Sequence, residues 1–76
     1  MNAGNKAYQK AYKEFRARLV QARLEAGLTQ AEVSSKLGKA HSFISKCELG
    51  ERRVDFIELL QLAKIYQKDL SFFVIM

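Results

Sequence analysis

Between Gly27 and Gly50 the chain has room for two short helices and little else. Thr29-Gln30-Ala31-Glu32 has the spacing of a capping box, in which the threonine hydroxyl accepts from the N–H three residues on and the glutamate reaches back. Val33 and Leu37 lie one turn apart, so the helix that starts there is short, and Gly38 ends it. A second start follows at Ala40 or His41. Ile44 and Cys47 give this helix an inward side, and Gly50 stops it. The chain contains no proline and four glycines, which favours helices joined by short turns.

The flanks are also helical. Tyr8, Tyr12, Phe15, Leu19, Ala22 and Ala26 recur at alternating steps of four and three, one apolar stripe on a long helix that ends at Gly27. After the charged loop Glu51-Arg52-Arg53, Asp55 and Glu58 repeat the capping-box spacing, with Val54 and Leu59 placed for a hydrophobic staple. Phe56, Leu59, Leu60, Leu62, Ala63 and Tyr66 then predict a helix that is largely buried. Asp69 caps a last helix from Leu70 to about Ile75. The expectation is a single all-α domain over residues 1–76: five helices, an extended first helix, no strand, no linker and no repeat. Two short helices around a glycine turn, over residues 30–49, form the helix-turn-helix pattern.

Composition narrows the function. A chain of 76 residues with 49% hydrophobic and 28% charged content is globular and forms one domain with a thin stability margin. Its single cysteine rules out an internal disulfide framework and suits a reducing compartment. No apolar run approaches the roughly 20 residues of a membrane span, and no signal-peptide pattern opens the chain, so a cytoplasmic location is expected. The net charge is +5. Residues 1–26 carry six bases and two acids, and residues 39–53 four bases and two acids, a balance that raises the odds of nucleic acid or an acidic surface as partner. No paired carboxylates or nucleophile arrangement points to an enzyme. One His and one Cys on the same helix do not make a metal site, and no cofactor or small-molecule effector is expected.

The helix at 41–49 is odd for a leucine-rich chain. At about 100° per residue, Phe43, Ile44 and Cys47 share one side, while His41, Ser42, Ser45, Lys46 and Leu49 share the other. The stretch QAEVSSKLGKAHSFISKCEL, Gln30 to Leu49, resembles the helix-turn-helix core of phage-repressor-like regulators, the lambda repressor and Cro class, also called the xenobiotic-response-element family. Gln30, Val33, Leu37, Gly38, Ile44 and Glu48 carry the match, which extends from about Phe15 through Phe73 and includes Gly-Leu-Thr-Gln before the motif and DFIELLQLAKIY after it. Four positions depart from the family pattern. Ser34 stands where alanine is usual, Lys39 where an apolar turn residue is, Val54 at a frequent proline and Gln67 at a frequent glycine. Residues 1–14 lie outside the family core.

The resemblance implies that the second helix of the motif enters the major groove of double-stranded DNA and that its N-terminal residues touch base edges. His41, Ser42, Ser45 and Lys46 are then the readers, since short polar side chains permit close approach and lysine suits guanine O6 and N7. Gln30, Lys39, Arg52 and Arg53 are the expected phosphate contacts. Arg23 and Glu48 match the family's partly buried salt bridge. Phe72, Ile75 and Met76 are the expected dimer contact, with Tyr8 and Tyr12 packing beside that end or across a two-fold axis. The implied protein is a bacterial or phage-encoded transcriptional regulator, a repressor acting as a homodimer. The alternatives are an antitoxin-type or phage-switch protein that also binds a protein partner, and a protein-bridging module that uses the fold without DNA.

Overall fold

Both capping boxes form. Glu32 N–H donates to Thr29 Oγ1 at 3.0 Å and Thr29 N–H to Glu32 Oε1 at 2.8 Å, while the Asp55 and Glu58 pair closes at 2.8 and 3.0 Å. They start two of the four α-helices of the computed structural model, which describes residues 5–75: α1 Lys6–Glu25, α2 Gln30–Lys36, α3 Phe43–Leu49 and α4 Phe56–Tyr66, followed by a 3-10 turn at Leu70–Phe73. No strand occurs among the described residues. The expected fifth helix is thus one 3-10 turn. Asp69 does cap it, accepting from Ser71 N–H at 2.9 Å. The Leu-Ser-Phe-Phe-Val-Ile run, however, is too short and too rich in aromatic and β-branched residues to repay α-helix nucleation.

α1 packs on α3, on α4 and on the C-terminal turn, and α2 packs on α3. The core lies between them: Leu19 and Ala22 from α1, Val33 from α2, Phe43, Ile44 and Cys47 from α3, Leu62, Ala63 and Tyr66 from α4, and Phe73. The α1 stripe is buried at its centre and looser at its ends, with Tyr12 and Phe15 half-buried and Tyr8 and Ala26 exposed. α4 departs further from expectation. Leu62, Ala63 and Tyr66 are buried, but Phe56 and Leu60 are exposed, as is Ile57. Among the described residues, nothing covers these three side chains.

Two of the four departures from the family pattern settle into local structure. Ser34 is fully buried, and its Oγ accepts from Ile44 N–H at 3.1 Å. That amide is one of the orphan donors at the start of α3, and Ser42, the residue at the cap, makes no side-chain cap bond. Ser34 therefore caps α3 from the neighbouring helix. Gln67 ends α4 at φ 57°, a left-handed conformation that costs a residue with a Cβ about 1–2 kcal/mol.

Candidate nucleic-acid interface

The second helix of the motif is shorter than its sequence pattern. His41 lies in a turn closed by Phe43 N–H on Ala40 C=O at 2.9 Å, and α3 begins at Phe43. Its apolar side, Phe43, Ile44 and Cys47, is buried, and burial raises the Cys47 thiol pKa, which leaves that sulfur a protonated core group. The opposite side carries His41, Ser42, Lys46 and Leu49, all exposed, and Ser45, half-buried. The structure thus brings the four expected base-reading residues together, two on the entry turn and two on the helix.

Glu48 sets how α3 sits. Its carboxylate accepts from Arg23 Nε at 2.7 Å and Nη2 at 3.2 Å, with only 12 and 7% of the two side chains exposed. The hydrogen bond to Glu48 raises the Arg23 pKa, although burial pulls the other way. Arg23 Nη1 also holds Leu28 C=O at 2.9 Å. Gln30 Nε2 donates to the same carboxylate at 2.9 Å, so the residue expected to meet a phosphate is oriented by α3 itself. Two turns earlier on α1, Arg16 Nη1 donates to Glu48 C=O at 3.1 Å, a cation on the negative end of the helix. Gly50, at φ 85°, leaves room for that guanidinium; a Cβ there would stand 2.9 Å from Arg16 Cζ.

The remaining phosphate candidates differ from one another. Arg52 forks onto Glu58 at 3.0 and 3.1 Å, and Lys39 Nζ lies 3.5 Å from the same carboxylate. Both cations also cover the Phe43 ring, at 4.6 and 5.2 Å from its centroid. Burial pushes the Glu58 carboxyl pKa up, but the Asp55 N–H, the Arg52 fork and Lys39 more than offset it and leave it lowered. Arg53 has no carboxylate partner among the described residues. Its guanidinium lies over the rings of Tyr8 and Tyr12, 5.0 and 5.7 Å from their centroids, and Tyr12 Oη accepts from Val54 N–H at 3.2 Å. A proline at position 54 would have no N–H to donate. This departure and the N-terminal extension therefore belong together: Tyr12 satisfies an amide that the family pattern often lacks.

Of the expected dimer residues, Phe72 is half-buried against its own core, edge-on to Phe73 at 5.3 Å, with Arg18 and Lys68 at 5.8 and 4.7 Å from its ring centroid. Ile75 is half-buried, and Met76 lies outside the described residues. Tyr8 and Tyr12 pack within the subunit, against Arg53 and Val54. Sequence reasoning missed three structural residues. Glu58 was legible as a capping partner, but not as the carboxylate shared by Lys39 and Arg52. Arg16 and Arg18 looked like surface charge, whereas Arg16 holds Glu48 C=O and Arg18 donates to Phe72 C=O at 2.7 Å.

A family model described as Helix-turn-helix matches residues 19–73. No curated protein and no solved structure matches the chain. No helix of the described residues is long and apolar enough to cross a membrane.

Proposed function

The chain belongs to the helix-turn-helix family, of the Cro/C1 type, and from that premise we propose that it is a repressor that binds a two-fold DNA operator as a homodimer. The observation that carries this reading is the exposed polar side of α3. It presents His41, Ser42, Ser45 and Lys46 with no acidic partner among the described residues, on a helix whose other side is locked into the core. Serine hydroxyls both donate and accept, Lys46 matches the acceptor pair of guanine, and exposed Leu49 suits a thymine methyl. Gln30, at the first turn of α2, and Arg53, on its tyrosine platform, supply the phosphate contacts that fix register without reading sequence. Arg52 and Lys39 share Glu58 and contribute less net charge to that surface.

Selection of bound duplexes from random-sequence DNA, followed by binding across a salt series, tests the reading. Lys46→Ala and Ser42→Ala lose about 1–3 kcal/mol on the selected operator for each base contact removed and little on random DNA. Arg53→Ala weakens both alike and lowers the salt slope by about one. If Lys46→Ala and Ser42→Ala hold the operator as tightly as the wild type, α3 is not the reading helix.

A further inference from the structure

The first turns of α1 lie outside residues 19–73, the part of the chain that the family model matches. They carry Lys6, Lys10 and Lys13, none of which has a carboxylate partner among the described residues. Part of this extension borders an open pocket of about 360 Å³ at the end of α3. Gln9, Lys13 and Arg16 follow one another at steps of four and three, so they share one side of α1, and all three line the pocket. Leu49 and Gly50 form its α3 wall, and the rings of Tyr8 and Tyr12 close another side. No carboxylate lines it. Arg53 lies over the same two rings, which brings a third cation close by.

Arg16 is only partly used. Its Nη1 holds Glu48 C=O, whereas its Nε is buried with no hydrogen-bond partner. Buried orphan donors are rare in folded proteins, and the planar guanidinium fork suits the paired oxygens of a phosphate. Leu49 fixes where the pocket opens. It is exposed, and at about 100° per residue it falls between Ser45 and Lys46 on the polar side of α3, one turn further on.

We propose that this pocket seats a phosphate of the DNA backbone just outside the bases that α3 reads, with Lys13, Gln9 and Arg16 as its donors. The inference rests on the operator reading above and gives the N-terminal extension a share in it. Lysine and arginine donate and never accept, so the seat has the chemistry of an anion site rather than of a base edge. A phosphodiester brings one negative charge and two unesterified oxygens, which two cations and an amide can hold without leaving a donor idle. Continuity with the polar side of α3 through Leu49 makes the backbone beside the groove the nearest source of such a group. Phosphate contacts fix position without reading sequence. The extension therefore adds affinity and leaves the choice of bases to α3.

Binding to a duplex selected from random sequence, with single phosphates replaced in turn by neutral methylphosphonates, tests the proposal. The proteins compared are the wild type, Lys13→Gln, Gln9→Ala and Lys64→Gln, the last removing an exposed charge on α4 away from the pocket. Gln9 and Lys13 are exposed, so their variants should melt within a few degrees of the wild type. For the wild type, one neutral phosphate outside the base-read positions should lower affinity about tenfold. Lys13→Gln should lose a similar factor on the unmodified duplex, no longer respond to that one replacement, and lower the salt slope by about one. Its ranking of operator sequences should stay that of the wild type. Gln9→Ala, which changes no charge, should weaken the same contact by a smaller factor, and Lys64→Gln should keep the full response. Equal losses from Lys13→Gln and Lys64→Gln overturn the proposal, and so does a Lys13→Gln variant that answers every methylphosphonate as the wild type does. Chemical shifts at Lys13 and Arg16 that move with inorganic phosphate, in a protein whose DNA binding ignores Lys13→Gln, would also overturn it, as a free-phosphate site. A protein that selects no operator, yet whose salt slope on mixed-sequence duplex falls with Lys13→Gln and not with Lys64→Gln, would support the seat while refuting the base reading. A wild type that binds no duplex overturns both.

Discussion

Ser34 and Gln67 show how much rests on single side chains in so small a core. Ser34→Ala leaves Ile44 N–H without a partner at the start of α3, and the expected loss is about 1 kcal/mol, read as a melting point lower by roughly 4–8 °C in a domain of this size. Gln67→Gly acts in the opposite direction. It removes about 1–2 kcal/mol of left-handed strain and returns part of it through the freer unfolded chain, so thermal melts should show a net gain of about 0.5–1 kcal/mol. Both positions were legible as departures from the family pattern, but their effects were not. A serine at an alanine position reads as a tolerable change of size, and only the approach of α2 to α3 shows that its hydroxyl finds an amide.

Among the elements, α1 is the rod against which α3 is set. Arg16 holds the C-terminal carbonyl of α3, Arg23 holds its Glu48 carboxylate, and Tyr12 holds the loop that follows. Glu48→Ala strands Arg23 and releases Gln30. Arg23 keeps the Leu28 carbonyl, so the loss should sit near the low end of the ~3–5 kcal/mol typical of a broken buried pair. Glu51→Ala, on the exposed loop, should leave the melting point unchanged, and equal small shifts in the two variants would remove the special role of the pair. Element starts that carry a capping box, α2 and α4, were readable to the residue because the signal is local. The start of α3 was not, because its cap comes from another helix, and the exposed side of α4 was not, because periodicity cannot tell a face covered by the same chain from one left open.

For the molecule as a whole, the basic excess was plain in the sequence and its distribution was not. Arg16, Arg18, Arg23 and Arg52 are held by carbonyls and carboxylates of the domain, so much of the positive charge in the sequence is spent inside the fold. Acid should expose this internal use of charge. The Glu58 carboxyl is depressed in the folded state, so its contribution is present above the ordinary carboxylate range and disappears as pH falls through the folded value. Melting points measured from pH 6 downward should therefore drop below about pH 4.5, and Glu58→Gln should flatten that decline while lowering stability at neutral pH. The locked inner side of α3 has one more consequence. Stability resides in Ile44, Cys47 and Glu48, whereas the proposed base-reading residues, His41, Ser42, Ser45 and Lys46, contribute almost nothing to the core. With base reading by that side of α3, as proposed, descendants of this chain are free to drift toward new operators one base pair at a time, because the residues that spell the message are not the ones that hold the page.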